Sequence, residues 1–415
     1  MLAVLLILTT AYAVLCWSDL HKGLWLLVAV LPSYLLRTEI FHIPTTLLEL
    51  LVLTFLIVWL IKRKTLPLQI QKDKGMLIPL FLLLTASTIS IVTSPEIVAG
   101  LGIWKAYFIE PILLFFVVRH EITHEKFQIQ TLFNALGLTA LILSLVAVVQ
   151  GFTGAGLPIP WDFEHRATSI FDYPNALGLF LGPVVIIGVM TLWNRIPTER
   201  FMNLFWLTVT LLSSIAILLA ESEATVVAVI ATLMCAGIWN STTRKKTLLL
   251  LLVGIVVIGL SPWRSFVVEK LTLQDYSGRV RLSQWSETID LLQDRWLFGA
   301  GLAGYPDVFA PYHQATHVEV FQYPHTILFN IWVELGLLGV LAFILLAWQV
   351  LNKFSPHTFS INPSTIAFLV LLEMTIHGLV DVPYFKNDLA LLTWILLAIV
   401  FSYASAKPSL SKKKD

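Results

Sequence analysis

The chain is poor in charged residues and in cysteine. Only 13% of its 415 residues are Asp, Glu, Lys or Arg, whereas 57% are hydrophobic. Soluble domains carry about 25% charged residues, so this composition is typical of an integral membrane protein. The formal net charge is only +1, which provides no basic surface for a nucleic acid.

The two cysteines, Cys16 and Cys235, lie inside apolar runs and have neither metal-binding nor disulfide spacing. We interpret both as small buried hydrophobic residues. Residues 1–17 lack a basic start and a small-residue cleavage site, so we expect a retained segment rather than a removed signal peptide. Internal repeats, low-complexity tracts and domain linkers are not visible, which predicts a single integral membrane domain, 1–415.

Long apolar runs fill most of the chain. A bilayer core about 30 Å thick needs about 20 apolar residues per helix. Residues 1–36 contain either one such span or a pair of short ones, and eleven runs follow. These runs are 43–61, 76–93, 97–118, 127–151, 171–193, 201–220, 224–240, 247–261, 325–351, 363–378 and 388–405. The predicted fold is an all-α polytopic membrane protein with about 12–13 transmembrane helices.

Lys and Arg occur in every second connection, which predicts the cytoplasmic side of the bundle. Lys62, Arg119, Arg244 and Lys353 mark this side, and the basic tail 406–415 is predicted to be cytoplasmic too. The connections predicted to face outside are 94–96, 152–170, 221–223, 262–324 and 379–387. The longest of them is the exoplasmic loop 262–324, in which we expect short helices over the membrane.

Arg166 precedes a predicted helix start at Pro174-Asn175. Proline disfavours helical geometry in the residue before it, and the free N–H groups of a helix start favour an anion. Arg166 would add a forked cation there. An ordinary helix start with a solvated arginine is the alternative.

Loop 262–324 is predicted to contain an amphipathic helix on the membrane surface. Its apolar face would consist of Leu282, Trp285, Ile289 and Leu292, which recur at helical spacing. Arg281 lies beside this face and Arg279 precedes it. Two arginines can bind a diphosphate through bidentate hydrogen bonds, but they could equally bind lipid headgroups.

Three glycines, Gly299, Gly301 and Gly304, follow this predicted helix. They permit either a tight turn or a close approach of the backbone to a ligand. A P-loop lysine does not follow them, so nucleotide binding is not supported.

His325 follows Tyr323-Pro324 at the start of a long apolar run. Imidazole titrates near pH 6.5, so a histidine at the outer membrane face can accept a proton from a hydroxyl group. A structural histidine is the alternative. A metal site with His313 and His317 is not supported, because the spacing is irregular and lacks bracketing carboxylates.

Ionisable residues also occur in the last outer turn and inside the predicted spans. In the turn, His377, Asp381 and Lys386 could simply pair with one another. The residues within spans are Lys105, Glu110 and Glu334, the last of which lies about 13 Å along the helix from His325. Charges at such depth are costly and require an interior partner or a functional cavity.

From about residue 160 to 390, the sequence resembles the O-antigen ligase and polymerase family of bacterial inner-membrane glycosyltransferases. Four elements in matching order carry this resemblance. They are Arg166 with Pro174-Asn175, the Arg-x-x-x-Trp element at Arg281 and Trp285, the Leu-Phe-Gly-x-Gly element from Leu297 to Gly301, and His325 followed by Glu334 to Gly339.

The resemblance implies a GT-C-like enzyme of the bacterial cytoplasmic membrane with its active site on the periplasmic face. Its donor would be a glycan on an undecaprenyl-diphosphate carrier, and its acceptor would be a hydroxyl group of a lipid, glycan or protein. No metal or other cofactor is implied. His325 would activate the acceptor. The residues implied for diphosphate binding are Arg166, Arg279 and Arg281, and those implied as supporting residues are Asn175, Glu334 and Asp381.

Two departures from the family pattern are present. Thr326 stands where the family usually has Asn, and Ser222-Glu223-Ala224 stands where it usually has Ser-Arg-Gly. The sequence leaves several activities open: a ligase, a polymerase, or an enzyme that attaches a wall polymer. A lipid-glycan flippase with Lys105, Glu110 and Glu334 along its path, and a structural membrane partner, are the alternatives outside glycosyl transfer.

Overall fold

The computed structural model describes residues 2–40, 43–64, 74–125, 127–194, 200–314, 320–356 and 359–403. These residues are overwhelmingly helical, which confirms the predicted all-α class. The predicted basic tail 406–415 and His317 lie outside the described residues.

The first part of the chain forms two short helices rather than one span. Helix α1 (Leu2–Ser18) ends just before Asp19, whose carboxylate accepts the backbone N–H groups of His21 and Lys22 and thereby begins α2 (Leu20–Ala29). This N-cap interrupts the apolar run because it satisfies N–H groups that a new helix leaves free.

A small β-hairpin follows α2 and corrects the prediction that residue 43 begins a helix. Strands β1 (Arg37–Ile40) and β2 (Ile43–Thr46) pair antiparallel, and α3 (Leu47–Arg63) begins only after them. Thr46 and Glu49 form a reciprocal capping box at the start of α3. The strands are too short for an alternation of apolar and polar residues to be recognised.

The remaining helices coincide with the predicted apolar runs, apart from α8 in connection 152–170 and α13 to α15 in loop 262–324. In chain order they are α4 (Lys74–Thr93), α5 (Ile97–Ile103), a π-helical turn (Trp104–Ile109), α6 (Glu110–His124), α7 (Ile129–Thr153), α8 (Trp161–Glu164), α9 (Pro174–Trp193), α10 (Arg200–Leu219), α11 (Glu223–Trp239), α12 (Arg244–Leu260), α13 (Arg264–Leu271), α14 (Tyr276–Arg295), α15 (Tyr305–Phe309), α16 (Ile327–Lys353), α17 (Pro363–His377) and α18 (Asn387–Tyr403). Helices α13 to α15 lie in loop 262–324, as expected.

Among the described residues, six helical stretches are at least 18 residues long and apolar enough to cross a membrane. They are Gly75–Thr93, Ile97–His124, Ile129–Thr153, Pro174–Trp193, Arg200–Leu219 and Ile327–Lys353. Shorter apolar helices of 10–17 residues add Leu2–Ser18, Leu20–Ala29, Glu223–Trp239, Pro363–His377 and Asn387–Ser402. The polytopic class is therefore confirmed, while a count of 12–13 spans depends on the shorter helices and stays a prediction.

Helices α9 and α18 lie in the interior of the bundle. Nearly every side chain of α9 is buried, and so is the run from Leu389 to Phe401 in α18. Helix α17 packs against both, α18 packs against α6, and α9 packs against α10. Helices that are apolar on all sides are suited to such positions, because every face meets another helix.

The five connections predicted to face outside meet at one end of the bundle. Ser94 donates a hydrogen bond to the carbonyl of Leu302, and Ala167 donates its N–H to the carbonyl of Leu219. At the same end, the carbonyl of Gly378 accepts the N–H of Ile327. These connections thus lie together, as expected if basic residues occur in every second connection.

Candidate active site

His325 lies in a tight bend just before α16. Its backbone is in the left-handed region, with φ of 47°, and α16 begins two residues later at Ile327. The N–H of Ile327 donates to the carbonyl of Gly378 over 2.8 Å, which attaches this bend to the turn after α17. A positive φ is uncommon outside glycine, so the bend sets the direction of the imidazole ring.

The imidazole ring of His325 is largely enclosed. It lies edge-on to the rings of Phe321 and Tyr323, at 4.8 and 4.9 Å between centroids. Its Nδ1 atom is buried and has no hydrogen-bond partner among the described residues. Burial lowers the pKa of His325 below its ordinary value; nearby Asp381 raises this pKa and nearby Arg281 lowers it. The side chain is therefore neutral at pH 7, the form that accepts a proton.

Helix α14 holds the segment before His325 through hydrogen bonds. The Trp285 indole donates to the carbonyl of Pro324 over 2.7 Å, and the Gln284 amide donates to the carbonyl of Tyr323 over 3.0 Å. Gln284 also donates to the Tyr305 hydroxyl at 3.3 Å. These contacts attach the segment before His325 to α14 and so help to position the imidazole ring.

The predicted helix in loop 262–324 is confirmed as α14, but the face that α14 buries differs from the predicted apolar face. The buried residues of its middle and last turns are Gln284, Glu287, Thr288, Leu291 and Leu292. Leu282 and Ile289, both expected on the apolar face, are each 44% exposed. Leu292 is buried as predicted. Gln284 and Thr288 are buried in place of Leu282 and Ile289, because Tyr305 and the carbonyl of Tyr323 provide hydrogen-bond partners for them.

Arg281 lies in the first turns of α14, near His325. Its Nη1 donates to the Ser277 hydroxyl over 2.9 Å, while its Nε is buried without a hydrogen-bond partner among the described residues. The start of α14 is fixed by Asp275, whose carboxylate accepts the N–H of Gly278 at 3.1 Å. Arg281 thus acts on the electrostatics of His325, and each of the two side chains has a buried nitrogen without a partner among the described residues.

Arg166 and Arg279 have other contacts. Arg166 donates from Nε to the carbonyl of Ala220 over 3.1 Å, pairs with Glu164 at 3.5 Å, and stacks over Trp161 at 5.0 Å. Arg279 is exposed and donates to the carbonyl of Gln274. Of the three predicted diphosphate residues, the structure therefore brings only Arg281 next to His325.

Ion pairs run along the α10–α11 connection between these arginines. Glu221 is 4.0 Å from Arg166, while Glu223 pairs with Lys270 of α13 at 2.8 Å. Lys270 also pairs with Asp275 at 3.0 Å. The hydrogen bond that the Lys270 ammonium donates to the Glu223 carboxylate raises the pKa of Lys270, so this lysine stays charged. The Ser222-Glu223-Ala224 departure thus places a carboxylate where it binds the outer loop.

The three predicted supporting residues occupy different environments. Asn175 is half-buried in the first turn of α9, after Pro174, which confirms the predicted helix start. Asp381 is buried in the turn before α18 and accepts the N–H of Val382 at 2.8 Å. Glu334 is buried in α16, where its carboxylate accepts the N–H of Ala303 at 2.9 Å. Of these three residues, only Asp381 affects the pKa of His325, which it raises.

The glycine-rich turn contacts a break in α16 rather than a ligand. Gly336 has φ of 65° within α16, and Gly299 has φ of 68°. A Cβ atom at Gly299 would collide with the carbonyl of Val333, and one at Gly336 would collide with the carbonyl of Leu297. The two backbones approach so closely that neither position has room for a side chain.

A group of residues near His325 was not predicted as part of the site. The Tyr173 hydroxyl lies 3.4 Å from the Tyr323 hydroxyl, and the Lys386 ammonium lies 4.9 Å from the centroid of the Tyr173 ring. Lys386 follows Tyr384-Phe385, an aromatic pair next to a basic residue at a span end. That local pattern is visible in the sequence, but the enclosing rings come from distant segments.

Two of the other ionisable groups lie beside carboxylates, whereas the buried carboxylate of Glu110 has no hydrogen-bond partner among the described residues. Lys105 pairs with Glu49 at 3.2 Å, and His377 faces Glu373 at 3.7 Å. The alternative that His377, Asp381 and Lys386 pair with one another is therefore wrong. Among the described residues, no three His, Cys, Asp or Glu side chains lie close enough to hold a metal ion. Cys16 is buried and Cys235 is half-buried, and both are free thiols.

Comparison with known proteins adds a family match. No match was found among curated proteins. Residues 208–344 match the family model described as O-Antigen ligase. This range begins in α10 and ends in α16, so it contains Arg281 and His325 but neither Arg166 nor Asp381. Residues 208–344 are thus similar to the O-antigen ligase family, which agrees with the resemblance drawn from the sequence.

Proposed function

We propose that this protein is a membrane glycosyltransferase of polysaccharide assembly. It transfers a glycan from an undecaprenyl-diphosphate carrier to an acceptor hydroxyl on the outer face of the bacterial cytoplasmic membrane. The observation that carries the proposal is a largely enclosed imidazole whose pKa is lowered by burial and by a nearby arginine. His325 has a free Nδ1, Arg281 has a free Nε, and both lie inside the family match.

In the proposed reaction, His325 accepts the proton of the acceptor hydroxyl while that oxygen attacks the anomeric carbon of the donor sugar. The bond between this carbon and the diphosphate oxygen breaks, and the leaving diphosphate keeps the electron pair. Arg281 stabilises the developing negative charge through its forked guanidinium. Buried Asp381 favours the imidazolium that forms, as its effect on the pKa of His325 indicates. A single displacement of this kind inverts the anomeric centre.

Arg166 is the second proposed diphosphate contact and Arg279 the third. Arg166 is held by Ala220 and Glu164, and the carrier diphosphate would reach it together with Arg281. Arg279 is exposed next to Arg281 in sequence, which suits a contact with the outer phosphate or with a lipid headgroup.

The test compares His325→Ala with His313→Ala. His313 lies in the same loop, where its Nδ1 is 3.1 Å from Glu287, so it serves as a structural control. Transfer from purified undecaprenyl-diphosphate-linked glycan is measured in detergent and normalised to folded protein. Loss of a general base typically lowers the rate by about 10²–10⁴-fold, so we expect that loss for His325→Ala and a nearly native rate for His313→Ala.

Carrier-lipid binding should survive in His325→Ala because the arginines make the diphosphate contacts. A native transfer rate in this variant would overturn the base assignment. Failure of the unmodified protein to transfer glycan to lipid, glycan or protein acceptors, combined with movement of the carrier lipid across vesicles, would favour a flippase instead.

A further inference from the structure

Lys386 is a half-buried cation with an unusual environment. Its ammonium lies 4.9 Å from the ring centroid of Tyr173, 5.2 Å from that of Phe171 and 6.0 Å from that of Tyr34. In the part of the chain that the structure describes, Lys386 makes no ion pair within 4.0 Å. Three aromatic rings therefore surround a charge whose electrostatic interaction with a carboxylate, that of buried Asp388, involves no ion pair within 4.0 Å.

Comparable cations of this protein do have carboxylate partners. Lys105 pairs with Glu49 at 3.2 Å and Lys270 pairs with Glu223 at 2.8 Å, and both lysines are half-buried, as Lys386 is. Ring faces attract an ammonium but do not neutralise it, and a charge removed from water is costly without a counter-charge. The environment of Lys386 is thus suited to an anion that comes from outside the protein.

Lys386 is connected to the proposed active site through two tyrosines. Tyr173, on which the ammonium stacks, has its hydroxyl 3.4 Å from that of Tyr323. The Tyr323 ring lies 4.9 Å from the ring of His325. Next to Lys386, the Asn387 side chain is buried and its Oδ1 has no hydrogen-bond partner among the described residues.

We propose that Lys386 is an additional oxyanion-binding residue of this site and contacts a phosphate or carboxylate group of a substrate. This inference rests on the proposed function and assigns a residue beyond the arginines. The oxyanion comes either from the carrier diphosphate of the donor or from an acidic group on the acceptor. In both cases the ammonium supplies a point charge, while the aromatic rings hold it in place without competing for the anion.

The experiment uses the full-length protein in lipid nanodiscs with two probes. Undecaprenyl diphosphate represents the donor, and glucose 6-phosphate, an anionic sugar without a lipid, represents an acidic acceptor. Binding is measured for the native protein, Lys386→Met, Lys386→Arg and Lys353→Met. Lys353 is an exposed lysine that also stacks on an aromatic ring, Phe401 at 5.4 Å, and so controls for the loss of a stacked cation.

We expect Lys386→Met to weaken the binding of one probe by about 10-fold or more, since a charge-assisted contact is lost. The probe affected identifies the source of the oxyanion. Lys386→Arg should stay close to native, and Lys353→Met should bind both probes like the native protein. Thermal unfolding of each variant confirms that it is folded.

Native binding of both probes by Lys386→Met would overturn this inference and leave the proposed function intact. Equal losses in Lys386→Met and Lys353→Met would overturn it as well, because the effect would not be specific to the site. If the native protein neither bound undecaprenyl diphosphate nor transferred glycan from it, the proposed function would be wrong, and the role of Lys386 with it.

Discussion

Leu337, the residue after the break in α16, donates its backbone N–H to the carbonyl of Leu297 over 3.1 Å. The N–H of Leu337 thus bonds to loop 262–324 instead of to a carbonyl within α16. The Ala300 N–H donates to the carbonyl of Val333 on the other side of the break. Together these bonds fix the loop, which positions α14 and Arg281, to the helix that begins after His325.

This junction predicts that Gly336→Ala is destabilising. The added Cβ would collide with the carbonyl of Leu297, and alanine is strained at φ of 65°. Strain of this kind costs about 1–3 kcal/mol. Gly254→Ala is the matched control, because a Cβ at Gly254 of α12 meets nothing within 4 Å. Thermal unfolding in detergent should show a lower Tm for Gly336→Ala and an unchanged or higher Tm for Gly254→Ala. Equal Tm values for the two variants would contradict the proposed strain at Gly336.

The lowered pKa of His325 predicts the pH at which the transfer rate falls on the acid side of the pH–rate profile. Since burial lowers the pKa of His325, the neutral base persists below the ordinary value of about 6.5. The acid limb of kcat/KM should therefore lie below that pH. Arg281→Met removes a cation that lowers this pKa, so the limb should move to higher pH. Asp381→Asn removes an anion that raises it, so the limb should move to lower pH.

The two substitutions thus shift the profile in opposite directions, which a general loss of stability cannot do. Shifts in the same direction, or a profile independent of pH between 5 and 8, would contradict the assignment of His325 as the base. The measurement is the transfer rate at limiting donor concentration across this pH range.

The forked guanidinium of Arg281 predicts a specific effect of Arg281→Lys. The change keeps the charge but loses the bidentate contact to a phosphate, which should weaken undecaprenyl-diphosphate binding by about 10-fold or more. Arg295→Lys is the control, because Arg295 is exposed at the other end of the same helix. Equal binding by both variants would indicate that Arg281 contacts lipid headgroups or serves only as a surface charge.

The predicted topology can be tested with single cysteines. In a background with Cys16 and Cys235 replaced by alanine, Thr272→Cys places a thiol in loop 262–324 and Thr242→Cys places one in the basic connection after α11. Both positions are exposed. An impermeant thiol reagent should label Thr272→Cys in intact cells and Thr242→Cys only after lysis. The reverse pattern would place the proposed site on the cytoplasmic side.

Several features could be predicted because the bilayer restricts them. The apolar runs located the long helices, and the proline of Pro174-Asn175 located the start of α9, since both depend on local properties of the chain. The buried face of α14 could not be predicted in the same way. Its partners, Tyr305 and the carbonyls of residues 323–324, are 20 to 40 positions away, and they select Gln284 rather than Leu282 for burial.

The other differences between the prediction and the structure also arise from contacts between distant segments. The glycines of the outer loop looked equally suitable for a ligand, and only the positions of Leu297 and Val333 show that they meet α16. Lys386 owes its environment to Tyr34, Phe171 and Tyr173, which are more than 200 positions away in sequence. A stacked lysine of this kind has no local signature.

Helix α12 differs from the other long helices described, because none of its side chains is buried. Its main protein contacts are with α11 and α13, so in the predicted membrane arrangement we expect hydrocarbon chains of lipid to be its principal solvent. Detergent replaces that solvent more completely around α12 than around a helix such as α9. Helix α12 leads directly into α13, whose Lys270 holds the loop to Glu223. Activity after extraction should therefore depend on the acyl chain length of the detergent while the bundle interior is still folded.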